Sequence, residues 1–166
     1  MSSSAPQLRI ATEADVEFLA RVLLVTNQDR YSQHPGWDPA EFYQGVVDDA
    51  ADQVAGNVPD STTFVITQEG TDIGRLRLVT TSIKIEVAGL QILPAHQNQG
   101  IGTAVINSVL DRAHRTGIPV ELEVENDNPD ARRLYERLGF RADGATRWNR
   151  VTLVHRGEPF APLITD

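Results

Sequence analysis

The sequence predicts a mixed α/β (α+β) domain in which helices cover both faces of one mostly antiparallel, seven-stranded sheet. Seven short segments are rich in apolar and β-branched residues, and four longer segments repeat apolar residues at helical spacing. Turn-forming residues separate these segments. The length of 166 residues fits a single domain. The predicted order is β-α-α-β-β-β-α-β-α-β-β, which gives a mixed sheet with helices packed on it.

The N-terminal part is predicted to contain one strand and two helices. Thr12 followed by Asp15 is typical of a helix N-terminus, and apolar residues then recur at helical spacing. A loop rich in Pro and Gly follows, and Asp38 with Pro39 can cap and start the second helix. The predicted ranges are residues 8–10 for the strand, 16–24 for the apolar stripe of the first helix, 34–39 for the loop and about 55 for the end of the second helix.

The remainder is predicted to be a three-stranded meander followed by alternating helices and strands. Residues 68–72 join two β-branched runs and so indicate a hairpin. Gly117 and Pro119 end the third helix, whereas Asn128 opens the fourth and Gly139 suits its C-terminal cap. The predicted strands are residues 62–67, 74–80, 83–93, 120–124, 140–146 and 149–154, and the predicted helices begin near residues 101 and 129.

The charge distribution bears on possible ligands. The net charge is −8, and binding nucleic-acid phosphates requires a basic face, so nucleic acid is not expected as a partner. Residues 1–72 carry twelve acidic residues and three arginines, whereas residues 73–166 carry eleven acidic and twelve basic residues. An anionic ligand is therefore expected to prefer the second half of the chain.

Other functions are excluded by composition. The chain has no cysteine, which rules out disulfides, thiolate metal sites and an acyl-cysteine intermediate. The histidines lack the spacing of a helical metal pair, so no metal is predicted. Short apolar runs and a polar N-terminus argue against a membrane role and favour a cytoplasmic location. Residues 1–7 are predicted to be a disordered tail, 8–156 a single domain, and 157–166 a tail or an edge extension.

A glycine-containing loop between a strand and a helix is the first functional motif. Pro94 ends the strand, and Gly100 and Gly102 would let a diphosphate approach the unpaired N–H groups of the helix start. Helix starts also use glycine for packing, so the loop alone leaves both interpretations open. The residues assigned to this anion site are Gln97, Asn98, Gln99, Gly100, Ile101, Gly102 and Thr103.

A second motif supports the anion-binding interpretation. Residues 128–140 read Asn-Pro-Asp-Ala-Arg-Arg-Leu-Tyr-Glu-Arg-Leu-Gly-Phe and begin 26 residues after Gly102, with one strand between. The two motifs together resemble those of the GNAT superfamily of acetyl-CoA-dependent N-acetyltransferases. The resemblance implies an acetyltransferase that uses acetyl-CoA (coenzyme A) as its donor. It also implies direct transfer to a primary amine.

The resemblance further implies how the donor is held. In similar enzymes the pantetheine arm lies between two parallel strands that splay apart, here residues 90–93 and 120–124, and pairs with backbone groups that the splay frees. Asn128 would hydrogen-bond the arm and can also cap its helix, as Asn commonly does. The further residues expected to contact the donor are Leu90, Gln91, Ile92, Leu93, Ala131 and Tyr135.

Three residues are candidates for catalysis. Similar enzymes have a tyrosine at the position that matches Tyr135, and it protonates the departing thiolate. Tyr135 could instead be a packed core residue. Glu86 is the preferred base, because strand alternation would place it on an apolar face with Leu90 and Ile92 and so raise its pKa. Glu123 is the alternative base, although it alternates with apolar residues and could belong to a solvated face. An ordered water could carry the proton to either carboxylate.

The region between the first two helices is the predicted acceptor wall, because similar enzymes use it in this way. Tyr31 and Trp37, with Glu86, are the predicted substrate contacts, and the acidic residues nearby would suit a cationic amine. The alternative is that the aromatic residues pack the helices and the acidic residues keep an exposed helix soluble. A small-molecule amine is the preferred acceptor, with peptide or protein acetylation and a non-catalytic acyl-CoA-binding regulator as alternatives. A homodimer would be in keeping with similar proteins.

Overall fold

The computed structural model describes residues 4–157, and its elements follow the predicted order. The predicted tails fall largely on residues 1–3 and 158–166, which lie outside the described residues, and the first strand begins one residue earlier than predicted. The strands are β1 (Gln7–Ile10), β2 (Ser61–Gln68), β3 (Thr71–Thr80), β4 (Ile85–Ile92), β5 (Val120–Glu125), β6 (Arg141–Arg147) and β7 (Arg150–His155). The helices are α1 (Val16–Tyr31), α2 (Pro39–Val54), α3 (Ile101–Thr116) and α4 (Pro129–Arg137).

The strands form one sheet in the order β1-β2-β3-β4-β5-β7-β6. Within the described residues β4 and β5 are parallel, and the other neighbouring strands are antiparallel. The predicted β2–β3 hairpin is confirmed, with Gln68 opposite Thr71 across a two-residue turn. Glu69 and Gly70 in that turn have φ angles of 51° and 80°, the left-handed values that match the twist of a tight hairpin. The predicted seven-stranded mixed sheet is thereby confirmed.

Helices cover both faces of this sheet, as predicted. On one face α3 and α4 pack against the larger core, to which Val105, Ile106 and Phe140 contribute fully buried side chains. On the other face α1 and α2 bury a smaller cluster that includes Leu19 and Val65. Apolar burial on each face fixes the strand register, because a slip of one residue would reverse the buried and exposed sides.

A β-bulge at Ala88 interrupts the alternation of β4. Arg77 pairs with Gly89 and Leu78 pairs with Val87, so Ala88 has no partner residue on β3. The extra residue reverses the facing of every later side chain on the strand. The prediction that Glu86 shares a face with Leu90 and Ile92 is therefore wrong. Leu90 and Ile92 pack on the larger core, whereas the β3 register places Glu86 on the face of α1 and α2.

The parallel pairing of β4 and β5 ends at the same level as the bulge. Three pairs are formed, the last of them between Val87 and Leu122. Beyond this pair β5 continues along β7 as far as Glu125, and β4 continues along β3 as far as Ile92. The two strands therefore splay apart toward their C-terminal ends. Backbone groups on their facing edges are freed from the ladder and can bind a ligand.

A partly buried ion pair stabilises the entry to α1. Asp15 accepts hydrogen bonds from Nη1 and Nη2 of Arg9, both at 2.8 Å, and from the backbone N–H of Thr12 at 2.8 Å. The predicted capping by Thr12 and Asp15 is thus confirmed as a capping box. The hydrogen bonds from Arg9, with that from Thr12, lower the pKa of Asp15 to about 2.

We expect Asp15→Asn to lower the free energy of unfolding at pH 7 by about 1 kcal/mol, because the ion pair with Arg9 becomes a hydrogen bond to an uncharged amide. The folded-state pKa lies below the unfolded one, so the wild-type contribution is complete above about pH 4 and is lost as the pH falls through about 2. Urea unfolding from pH 7 to pH 2 should show a smaller loss of stability in the variant. The exposed Asp111→Asn is the control. Equal pH dependence of Asp15→Asn and the wild type would contradict this account.

Candidate functional site

The loop between β4 and α3 presents unpaired backbone N–H groups at a helix start. Asn98 and Gly100 have φ angles of 60° and 78°, and α3 begins immediately afterwards. The hydrogen bond from the N–H of Ala104 to the carbonyl of Gly100, at 3.1 Å, closes the first helical turn. The preceding N–H groups of the helix consequently have no carbonyl partner within it. These N–H groups lie at the positive end of the helix dipole, which is the arrangement found in anion-binding sites.

The two glycines of this loop are not there for packing. Apart from its chain neighbours and the backbone of its own helix, a β-carbon built on Gly100 or on Gly102 would have no atom of the described residues within 4 Å. The left-handed φ at position 100 favours glycine there. Gly102 has ordinary helical backbone angles, which do not require glycine. The space beside Gly102 is left open for a ligand, which supports the anion-binding interpretation over the packing one.

We call the space beside this loop the loop cavity, and its volume is about 690 Å³. Every predicted loop residue except Gln99 lines it, and Gln97 also donates from Nε2 to the carbonyl of Ile92 at 2.9 Å. Arg133 and Arg137 contribute positive charge from α4. The full lining is Ile92, His96, Gln97, Asn98, Gly100, Ile101, Gly102, Thr103, Asp130, Ala131, Arg133, Leu134 and Arg137.

A second cavity of about 450 Å³ lies where β4 and β5 separate, and we call it the splay cavity. Its lining comes from both faces of the sheet, since it includes α1 and α2 on one side and α4 on the other. Ala131 lines both cavities, so both lie against α4. The lining is Leu23, Asn27, Arg30, Tyr31, Phe42, Val46, Asp49, Gln53, Arg75, Ala88, Gln91, Glu123, Val124, Glu125, Asn128, Ala131, Tyr135 and Arg150.

Tyr135 is held in a defined orientation at the wall of the splay cavity. Its ring packs edge-on against Phe140 with centroids 5.8 Å apart. Burial raises the pKa of Tyr135, so the phenol stays protonated through the neutral range. Asn128 caps α4 by accepting from the N–H of Ala131 at 3.2 Å, and it lines the same cavity. A protonated donor and an amide side chain therefore share this space.

The two candidate bases occupy different places. Glu123 lines the splay cavity, with Arg150 at 3.5 Å from its carboxylate. Glu86 lines neither cavity and stands opposite Glu121 in the β4–β5 ladder. Glu121 binds Lys84 at 3.0 Å and so raises the pKa of that lysine, with a smaller effect from Glu86. The structure thus brings Glu123, but not Glu86, to the space that Tyr135 lines.

The two aromatic residues predicted for the acceptor wall, Tyr31 and Trp37, also lie in different places. Tyr31 lines the splay cavity, with its ring 5.3 Å from that of Phe42. Trp37 lines neither cavity and packs against Phe42 at 6.4 Å. Of the acidic residues on the loop and on α2, Asp49 lines the cavity.

Sequence reasoning missed the arginines of the splay cavity. Arg30 on α1 binds Glu125 at 2.6 Å, and Arg150 binds Glu123 and Glu125 at 3.5 and 3.3 Å. Arg75 on β3 is 3% exposed. Its position between apolar neighbours of the strand was the available signal, because a buried arginine is rare unless a partner requires it.

Two further observations concern metal ligands and helix length. Among residues 4–157 no group of three or more His, Asp or Glu side chains is arranged to hold a metal ion. Over the same part of the chain no helix has the length and apolar character needed to cross a membrane.

An anion-binding helix start that meets a cavity holding a phenol and a carboxylate is suited to transferring a group from a phosphate-bearing donor. Residues 21–140 match the model of the Acetyltransferase (GNAT) family, so the chain belongs to that family. The predicted family is confirmed. Acetyl-CoA, the acetyl donor predicted from the motifs, is the donor that this family uses.

Curated relatives match the chain over part of its length. It is 44% identical over 60 residues to the mycothiol acetyltransferase of Brachybacterium faecium, which is 36% of this chain and 18% of that protein. It is 40% identical over 68 residues to the N-alpha-acetyltransferase RimI of Mycobacterium tuberculosis, which is 41% of this chain and 42% of that protein. The matches thus span less than half of either relative.

The fold itself is found in solved structures. The PaiA N-acetyltransferase of Thermoplasma acidophilum, whose crystal structure is a complex with coenzyme A, superposes with a TM-score of 0.73. The match covers 92% of this chain and 99% of that one at 16% identity. At this identity the likeness establishes the fold.

We expect Gly102→Asp to weaken coenzyme A binding by at least about tenfold, because a carboxylate at the helix start repels a diphosphate. The same acidic residue in the first turn of α3 should leave the melting temperature unchanged or raise it, since the space is open. Calorimetric titration with coenzyme A and a thermal melt measure the two effects. Gly102→Asn is the matched control for bulk without charge. Unchanged affinity in Gly102→Asp would place the diphosphate elsewhere.

Proposed function

We propose that the protein transfers the acetyl group of acetyl-CoA directly to a primary amine of a small molecule. The observation that carries this proposal is that the loop cavity and the splay cavity lie side by side and share Ala131 in their walls. One space offers unpaired N–H groups beside an open glycine, and the other offers Tyr135 and Glu123. A donor bound along the first and an acceptor bound in the second would have their reacting ends together.

The residues of the chain have separate tasks in this reaction. The N–H groups at the start of α3, with Arg133 and Arg137, bind the diphosphate. The freed edges of β4 and β5 and the side chain of Asn128 hold the pantetheine amides. Bound acetyl-CoA supplies a thioester carbonyl, at which the C–N bond forms as the C–S bond breaks. The absence of cysteine is consistent with direct transfer to the amine.

Two protons must move in the reaction. An amine attacks in its neutral form, so its ammonium has to lose a proton, and Glu123 accepts that proton directly or through an ordered water. Tyr135 donates a proton to the departing thiolate, because its phenol is protonated at neutral pH, and the phenolate then regains a proton from the newly acetylated nitrogen, directly or through water. Glu86 was the preferred base on the assumption of an unbroken strand alternation. Because the bulge removes that assumption, we propose Glu123 in its place.

The cavity supports a small acceptor. Its volume of about 450 Å³ lies in the range of metabolite sites, and α1 and α2 form one of its walls. Peptide or protein acetylation is the second candidate, favoured by the 40% identity over 68 residues to RimI, an N-alpha-acetyltransferase. A cationic acceptor, a homodimer and a cytoplasmic location remain predictions.

We expect Tyr135→Phe to lower kcat by about 10²- to 10⁴-fold while changing the KM for acetyl-CoA much less, as removal of a general acid would. The measurement is thiol release from acetyl-CoA with a panel of polyamines, amino acids, aminoglycosides and peptides. Wild-type turnover with one small amine supports the proposed class. A rise in KM with an unchanged kcat would mean that Tyr135 binds rather than donates. No thiol release with any acceptor would favour the non-catalytic regulator.

We expect Glu123→Gln to lower kcat/KM for the amine most strongly at low pH, where the acceptor ammonium has the greatest need of a base. Glu86→Gln is the matched comparison, since it makes the same change on the same face of the sheet but outside both cavities. The measurement is the pH profile of kcat/KM for each variant. A larger loss in Glu86→Gln than in Glu123→Gln would restore Glu86 as the base.

A further inference from the structure

Arg75 is a buried cation whose hydrogen-bond partners are neutral. Its Nη1 donates to Oε1 of Gln91 at 2.9 Å, and its Nη2 donates to Oε1 of Gln53 at 2.7 Å. Its Nε is buried and has no hydrogen-bond partner in the described part of the chain. Burial lowers the pKa of Arg75 to about 10, so the group is still charged at neutral pH. A buried charge with neutral partners is costly unless an anion joins it.

The fold makes room for this guanidinium. A β-carbon at position 89 would collide with Nη1 of Arg75, so Gly89 on β4 is what allows the arginine to lie across the strand. The guanidinium reaches β4 next to the bulge and lines the splay cavity with Gln53 and Gln91. Its location is therefore the floor of the proposed acceptor site, on the α1–α2 face of the sheet.

The other arginines of the cavity already have anionic partners. Arg30 and Arg150 bind the carboxylates of Glu123 and Glu125 on β5. Arg75 forms no ion pair with any residue in the range 4–157. Asp49 also lines the cavity and raises the pKa of Arg75 through its charge without bonding to it. A bound anion could therefore pair with Arg75 without breaking the ion pairs of Arg30 and Arg150.

We propose that the acceptor is an amine that also carries a carboxylate, such as an amino acid, and that Arg75 binds this carboxylate. The inference rests on the proposed function and specifies its substrate class. A guanidinium forms strong charge-assisted hydrogen bonds with a carboxylate and orients it through its planar fork. With the carboxylate anchored at Arg75, the amino group of the acceptor lies in the same cavity as Glu123 and Tyr135.

Matched pairs of acceptors test this proposal in the wild-type protein. Glycine, L-alanine, L-methionine, L-phenylalanine and 4-aminobutyrate are each compared with the corresponding amide in the thiol-release assay. Amides have less basic amines and so more of the reactive neutral form, which works against the expected result. We expect the carboxylate member of at least one pair to have a kcat/KM about 10- to 100-fold higher, as a hydrogen bond to a charged group provides.

Two variants separate anion binding from a structural role. Arg75→Gln should lower kcat/KM for the carboxylate acceptor by the same factor and leave that for its amide nearly unchanged, which abolishes the preference. Arg77→Gln is the matched control, because Arg77 lies two residues along β3 on the same face, bonds to Ser61 at 3.2 Å and lines neither cavity. It should retain the preference. Arg75→Lys, which keeps the charge, should restore part of it.

The outcomes are distinguishable. If both members of every pair react equally, or if the amides react better, the proposal is wrong while the acetyltransferase function stands. If Arg75→Gln lowers both members of a pair by the same factor, Arg75 has a structural role and the proposal is again wrong. Should coenzyme A bind and no acceptor release thiol, the proposed function fails, and this inference fails with it. If Arg75→Gln does not fold, the wild-type comparison can still overturn the proposal, because equal reactivity of acid and amide excludes binding of the carboxylate.

Discussion

The site depends on a single interruption of the β-ladder between β4 and β5. These strands pair as far as Val87 and Leu122, and a bulge at Ala88 then turns β4 away from its parallel neighbour. Continued pairing would satisfy the backbone groups of both strands and close the gap between them. The bulge therefore opens the splay cavity and supplies its free hydrogen-bonding edges. It also sets which β4 side chains face α1 and α2.

Elements from three directions meet at this gap. The loop before α3 brings N–H groups and an open glycine, α4 brings Asn128 and Tyr135, and β3 brings a buried guanidinium. None of these elements forms a reaction site by itself. The sheet holds them together: α4 and the guanidinium line the splay cavity, and the loop lines the adjacent loop cavity, which shares Ala131 with it. The charge asymmetry of the sequence agrees with this arrangement, because the loop that we propose to bind an anion lies in the more basic second half.

Local signals in the sequence were sufficient for the fold and for the backbone of the loop before α3. The capping box at Thr12, the turn at Gly70 and the helix start after Gly100 depend on neighbouring residues, so the sequence predicts them directly. The bulge depends on the register between β3 and β4, which local alternation does not reveal, and Glu86 was misplaced for that reason. The environment of Arg75 depends on Gln53 of α2, which is distant in the chain, so local sequence does not predict it.

The most direct test of the central claim is a titration of the ¹⁵N-labelled protein with coenzyme A, followed through its backbone amide resonances. If the donor spans the loop and the splay, the largest shifts will occur together at residues 98–103, along the free edge of β4 at residues 89–93, and around Asn128. Amides of β1 and β2, on the far side of the sheet, should not move. Shifts confined to the loop, with β4 and β5 unaffected, would contradict the claim that the interrupted ladder binds the donor.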